Sequence, residues 1–387
     1  MNLKPAERLT LIKEGEIRRI FDLARELPDI IDLSIGEPDF PVNSQALEVG
    51  CDAARKGRTH YEPTNGVPEL RKALAEKAER VFGLHYDPDS EVLVTAGGGE
   101  ALAAAFVGLL NPGDEVMVPD PSFVGYTPAV RIGEGVPVGI PMLEKNGFVP
   151  SFEDVTSLVT RKSRVILLNS PNNPTGPMLF HDDAASLGEV AIKRDMIVIS
   201  DEVYEKIVFD DNEHVCIATS PAMRDRTLVI GSFSKTYAMT GLRVGYAFGP
   251  KEPISSLWLV HQYTVTCVDS IAQHIALAAL TDPQDSVRSI VNEFQRCRDI
   301  VHRRLNEIGL ACMLPKGALY VLPNVKGFDM SSEAFTQFLL KETRVMTVPG
   351  SAFGRRGEGY IRIPFAASRE RLEEALDRME RALKRLG

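Results

Sequence analysis

The feature that most limits the architecture of this chain is a repeating rhythm between residues 91 and 249. Short β-branched apolar runs at 91–95, 115–118, 164–169, 196–200, 228–231 and 244–248 alternate with longer stretches of helical character. Strands that alternate with helices predict a mostly parallel sheet flanked by helices, an α/β architecture. Between the first two runs, residues 101–110 are apolar nearly all round and too long for a typical strand, which predicts a buried helix.

Outside that region the pattern changes. Residues 69–82 carry Leu70, Ala73, Leu74, Ala78 and Val81 at helical spacing behind Pro68, a surface-packed helix. After about Pro283 a long charged helix runs to Leu305, followed by short strands near 318–322 and 359–364. A final helix follows Ser368, its cap, with Leu372, Leu376, Met379, Leu383 and Leu386 on one stripe. This reads as a smaller α+β domain, and the expected division is 1–45 (N-terminal segment, part of the small domain), 46–282 (large domain) and 283–387 (small domain).

Composition narrows the function. A net charge of −9 with acidic and basic residues interspersed offers no basic face for a run of phosphates, which argues against nucleic acid. The five cysteines are scattered without a Cys-x-x-Cys pair, which argues against a disulfide framework and a zinc site, and the histidines have no metal-binding spacing, so no catalytic metal is expected. No apolar run reaches membrane-spanning length and the first residues lack a signal-peptide core, so a cytoplasmic protein is expected.

Lys235, in Gly231-Ser232-Phe233-Ser234-Lys235-Thr236-Tyr237, follows the apolar run 228–230 and has Arg243 eight residues on. A lysine in that setting can serve as a nucleophilic amine at a strand end, although taken alone the window reads first as a surface loop or an ordinary strand end. Gly97-Gly98-Gly99 follows one predicted strand and opens the buried helix, so backbone N–H groups and the positive helix end converge where a phosphate fits; a purely steric turn is the alternative. Asp201 ends a buried run, where a carboxylate needs a cationic or hydrogen-bonding partner, unless it is simply a helix cap. A protonated pyridine nitrogen is such a partner. Asn173, in Asn169-Ser170-Pro171-Asn172-Asn173-Pro174-Thr175-Gly176, and Tyr204 can both donate to one ring oxygen. Arg362 sits in an apolar strand, where a bidentate clamp on a carboxylate explains a guanidinium better than a structural ion pair.

An amine, an anion for a ring nitrogen, a phosphate cup and donors to a phenolate oxygen are what pyridoxal 5'-phosphate requires. With Ser34-Ile35-Gly36-Glu37-Pro38-Asp39-Phe40 and His60-Tyr61-Glu62-Pro63-Thr64-Asn65-Gly66, the chain resembles, over essentially its full length, the class I aminotransferases of the aspartate aminotransferase family, fold type I, in its prokaryotic and archaeal aspartate or aromatic branch. The resemblance implies a large domain with a mostly parallel seven-stranded sheet between helices plus a smaller α+β domain, and a homodimer. It makes Lys235 the Schiff-base lysine and proton shuttle, with Asp201 on the ring nitrogen and Asn173 and Tyr204 on the phenolate oxygen. Gly97, Gly98, Gly99, Ser232, Ser234 and Arg243 fall around the phosphate, Phe123 stacks on the ring, and Tyr61 reaches the neighbouring subunit's cofactor. Gly36, Asn173 and Arg362 meet the substrate.

The activity so implied is transfer of an amino group from an L-amino acid to a 2-oxo acid, with 2-oxoglutarate the usual acceptor, in a ping-pong cycle. Some aspartate-preferring relatives carry a lysine in the phosphate-loop region where this chain has Gly99, and residues 261–267 contain no arginine. A pocket of Ile17, Phe123 and Tyr263 would favour aromatic or broad donors, with Arg18 or Arg19 in reach of a distal carboxylate. A β-lyase on the same scaffold is the nearest alternative, because both reactions begin with loss of the Cα proton. A regulatory or non-catalytic relative is the remote one.

Overall fold

The computed structural model describes residues 6–12, 16–25 and 27–385. A short strand, β1 (Ile31–Asp32), precedes the main sheet. Its seven strands are β2 (Val92–Thr95), β3 (Glu115–Asp120), β4 (Val136–Pro141), β5 (Ser163–Asn169), β6 (Ile197–Asp201), β7 (Thr227–Ser232) and β8 (Gly245–Phe248), and the remaining strands are β9 (Tyr320–Val321), β10 (Val345–Met346), β11 (Val348–Pro349) and β12 (Ile361–Pro364).

The main sheet has the order β2-β8-β7-β6-β5-β3-β4. Strand β8 alone runs antiparallel to both neighbours and the remaining pairs are parallel, so the expectation of a mostly parallel sheet holds. Strand β4 was not anticipated. Its sequence, Val-Pro-Val-Gly-Ile-Pro, carries the residues that weaken a strand signal, and it tolerates them because it lies at the sheet edge, bonded only to β3.

Both faces of this sheet are covered, as parallel strands require. Helix Gly98–Leu109 buries Ala101, Leu102, Ala105 and Phe106 against one face, although Val107 on its far side is 44 % exposed. Helix Pro68–Phe82 has proline at its first turn and ends at Gly83 in the left-handed conformation, φ 66°. Helix Asp285–Glu307 and helix Arg369–Leu383, the latter capped by the Ser368 hydroxyl accepting from the Arg371 N–H, lie where periodicity placed them. Leu386 of the expected stripe falls outside the described residues.

A second sheet, ordered β11-β12-β9, is antiparallel and places Arg362 on its central strand. Strand β1 pairs with β10 in parallel, which ties the N-terminal segment to the C-terminal part of the chain. A single apolar cluster joins Ile31 and Leu33 to Val301, Ile363 and Leu376, and it also takes in Tyr204, Ile207 and Phe209 from the segment after β6. Among the described residues, no helix is long and apolar enough to cross a membrane.

Candidate active site

The parallel arrangement sets the ends of β5, β6 and β7 at one edge of the main sheet, and there the chain places chemistry rather than packing. Asn169 and Asp201, the last residues of β5 and β6, are register partners. Ser232 ends β7 and caps the short helix Phe233–Thr236 that carries Lys235. A cavity of about 420 Å³ opens over this edge, lined by Lys235, Asp201, Tyr204, Asn173, Arg243 and Arg362 among others.

The carboxylate of Asp201 is buried, 4 % exposed. Its Oδ2 accepts from the Tyr126 hydroxyl at 2.6 Å and its Oδ1 from the Val203 N–H at 3.3 Å. Burial pushes its pKa up to about 6, against the pull of the Tyr126 hydrogen bond. Removal from water disfavours the carboxylate, and two hydrogen bonds do not offset that cost. A cation in the cavity would. Sequence reasoning passed over Tyr126, which lies three residues beyond Phe123 and whose pairing with Asp201 spans 75 positions.

The glycine loop lies at the start of helix Gly98–Leu109. Gly97 is its cap residue, with φ 88° and ψ 164°. Side chains rarely adopt that backbone, and a Cβ there would collide with the guanidinium of Arg243. Glycine thus lets a cation close over the helix N-terminus. Gly98, Gly99, Ser232, Ser234 and Arg243 all line the cavity, and the Ser232 hydroxyl accepts from the Ser234 N–H at 3.1 Å. Bare amides, two hydroxyls and an arginine make a cradle for a dianion.

Asn173 is held by its N–H donating to Asn169 Oδ1 at 2.9 Å, while Asn169 Nδ2 donates to the Asp201 carbonyl at 2.9 Å. The Oδ1 of Asn173 accepts from Arg362 Nη1 at 3.3 Å, so its amide N–H is left to point elsewhere. Arg362 is sandwiched between the rings of Tyr320 and Phe353, with centroids 4.5 and 4.6 Å from its guanidinium carbon, and its Nη2 donates to the Ser34 carbonyl. Its Nε is buried without a partner among the described residues. A buried guanidinium with donor capacity to spare suits a carboxylate ligand.

Lys235 donates from Nζ to the Gly36 carbonyl at 2.7 Å. Gly36 has no room for a side chain, since a Cβ would meet the Tyr320 hydroxyl. Phe123, 37 % exposed, lines the same cavity. Tyr61 does not: its side chain is 86 % exposed outside it, and Tyr263, near the end of helix Lys251–Thr264, is 80 % exposed and also outside it. The side chains of Ile17, Arg18 and Arg19 fall outside those described. Residues without a role from sequence also line the cavity, notably Tyr126, Tyr320, Phe353 and Thr240, whose hydroxyl donates to Glu37.

Pyridoxal phosphate fits this donor set: a dianion cradle, a buried carboxylate short of a cation, and an amine, all lining one cavity.

The family described as aminotransferase class I and II matches residues 28–379. The chain is 41 % identical, over 98 % of each chain, to an aspartate aminotransferase of Pyrococcus abyssi, and 40 % identical over the same share to aromatic-amino-acid aminotransferase 2 of Thermococcus litoralis. The crystal structure of an aromatic aminotransferase from Pyrococcus horikoshii superimposes with a TM-score of 0.93 at 40 % identity, covering 98 % of both chains.

Proposed function

The chain belongs to the class I and II aminotransferases, pyridoxal-phosphate-dependent transaminases of fold type I, and on that premise we propose how its residues divide the work and which amino acids it takes. The observation that carries the reading is the convergence of Lys235, Asp201, Arg243 and Arg362 on one cavity, from positions spread over 162 residues of sequence, 201 to 362.

When bound, the cofactor supplies an aldehyde that takes up the amino group and a protonated ring that absorbs electron density from the substrate Cα. Gly97, Gly98, Gly99, Ser232, Ser234 and Arg243 hold its phosphate. Asp201, oriented by Tyr126, keeps the ring nitrogen protonated, and the charge partner in turn relieves its own burial. Asn173 and Tyr204 donate to the phenolate oxygen, and Phe123 covers the ring. Arg362 clamps the α-carboxylate of the amino acid with the Gly36 backbone beside it, which fixes the Cα hydrogen toward Lys235. Lys235 then moves the proton at Cα, and returns it in the half-reaction that loads the amino group onto a 2-oxo acid.

For the donor we favour aromatic or broad side chains, with 2-oxoglutarate as acceptor. Gly99 offers no cation to a distal carboxylate, and Leu102, Ile35 and Phe353 give the cavity an apolar lining. The relatives include both aspartate and aromatic aminotransferases by name. We further propose a homodimer in which Tyr61 of each chain reaches the phosphate of the other, supported by its exposure outside its own cavity. The division at 45/46 and 282/283 into a small and a large domain is supported by β1 pairing with β10. A cytoplasmic location is supported by five unpaired thiols.

The test is a panel of L-amino acids mixed with cofactor-loaded protein, following conversion of the cofactor to its amine form. Tyrosine and phenylalanine should convert it, and conversion by aspartate alone would remove the donor proposal. Borohydride reduction followed by mass spectrometry should place the cofactor on Lys235, and an unmodified Lys235 would remove the assignment of roles.

A further inference from the structure

Tyr320 received no role from the sequence, yet it touches three parts of the site. Its hydroxyl oxygen lies 2.9 Å from that of Tyr204 and 3.5 Å from the carbonyl oxygen of Gly36, and its ring carries the Arg362 guanidinium at 4.5 Å. The ring is 2 % exposed. Tyr320 begins β9 in the antiparallel sheet, whereas Tyr204 lies in the turn after β6 of the main sheet, so the pair of phenols joins the two sheets in the wall of the cavity.

A phenol has one proton to give. That of Tyr320 has two oxygens in reach, and the Tyr204 oxygen at 2.9 Å is a better acceptor than the Gly36 carbonyl at 3.5 Å. If instead Tyr204 donates to Tyr320, its only proton is used up and none remains for the cavity. An ionised acceptor draws a hydrogen bond about twice as strong as a neutral one. A phenolate oxygen in front of Tyr204 therefore sets the direction of the pair. Burial, and after it the neighbouring Tyr320, drives the Tyr204 pKa well above its ordinary value, so its hydroxyl remains a donor.

We infer that Tyr320 is a positioning residue for the transamination reaction: its hydroxyl donates to Tyr204 and so commits the Tyr204 proton to the phenolate oxygen of the bound cofactor, while its ring face holds Arg362 for the substrate carboxylate. One side chain thereby couples the electronic tuning of the cofactor to the substrate clamp. The inference rests on the reading of Tyr204 as a donor to that oxygen.

A donor at the phenolate oxygen makes the oxygen a poorer base, so losing the donor lets the bound cofactor keep its proton to higher pH. The experiment is a pH titration of the bound cofactor's absorbance in the loaded wild type, Tyr204→Phe, Tyr320→Phe and the double variant. Tyr204→Phe should raise the midpoint. Tyr320→Phe, which retains the ring against Arg362, should raise it in the same direction by roughly 0.5 pH, about the worth of one hydrogen bond. The double variant should match Tyr204→Phe, because Tyr320 acts through Tyr204. A Tyr320→Phe midpoint equal to wild type beside a raised Tyr204→Phe midpoint overturns the inference, as does full additivity in the double variant. A lowered melting temperature with an unmoved midpoint would mark Tyr320 as packing alone and overturn it as well. An unmoved midpoint in Tyr204→Phe removes the reading of Tyr204 and the inference with it.

Discussion

The hydroxyl of Tyr126 donates to Oδ2 of Asp201 at 2.6 Å, and both groups are buried beneath the cavity. Burial outweighs that donor and the Val203 N–H together, and the Asp201 pKa is raised from 3.8 to about 6. In cofactor-free protein the native state thus holds a proton that the unfolded chain releases between those values. Stability from this group is full below about pH 4 and is lost as pH rises through about 6, by about 3 kcal/mol in all. Asp201→Asn removes the ionisation. Urea unfolding of both cofactor-free proteins should coincide near pH 4 and show the variant more stable near pH 7. Adding pyridoxal phosphate should flatten the wild-type slope. Parallel pH profiles for the two proteins would contradict this account.

Gly97→Ala places a methyl in a backbone region that side chains avoid and against the Arg243 guanidinium. The backbone strain alone is worth about 1–3 kcal/mol. Cofactor affinity should fall roughly 10-fold as the cradle distorts, about 1.4 kcal/mol. Gly99→Ala is the control: a Cβ there meets nothing within 4 Å. Equilibrium dialysis against pyridoxal phosphate should separate the two, and equal affinities would show that the loop tolerates displacement.

Arg362→Lys keeps a charge but loses the planar fork that reaches Asn173 and Ser34 together. kcat/KM for amino acids should drop roughly 100-fold, about 3 kcal/mol. The cofactor's affinity and absorbance should stay those of the wild type, because the guanidinium serves the substrate end. Loss of cofactor from this variant would reassign Arg362 to the cofactor itself.

Gly99→Lys puts an ammonium into open space beside the cavity. The ratio of kcat/KM for aspartate over phenylalanine should rise roughly 10-fold, the scale of one partly desolvated ion pair. Steady-state kinetics with both donors measure it. A wild type that already prefers aspartate, with no change on substitution, would show that another group reads the distal carboxylate.

Much of the site was legible because its pieces are local. Gly97, Asp201 and Lys235 each stand just beyond an apolar run, and in a parallel sheet the ends of such runs come together. Arg362 stood out because a guanidinium in an apolar strand requires an explanation. Strand β4 was hidden by its prolines and glycine, which an edge position permits. The support behind the site was hidden for another reason. Tyr126 on Asp201, Tyr320 on Tyr204 and Lys235 on Gly36 are contacts across 75, 116 and 199 positions, and no local spacing announces such pairings.

The sequence by itself determined the strand-and-helix rhythm, the chemical groups available and the family they belong to, since residue type and short-range spacing are carried along the chain. Only the tertiary structure decided which phenol braces which carboxylate and how Arg362 is framed by two rings. Those relationships depend on packing two sheets against one another, and burial then gives the surviving hydrogen bonds their weight by removing the water that would compete for them.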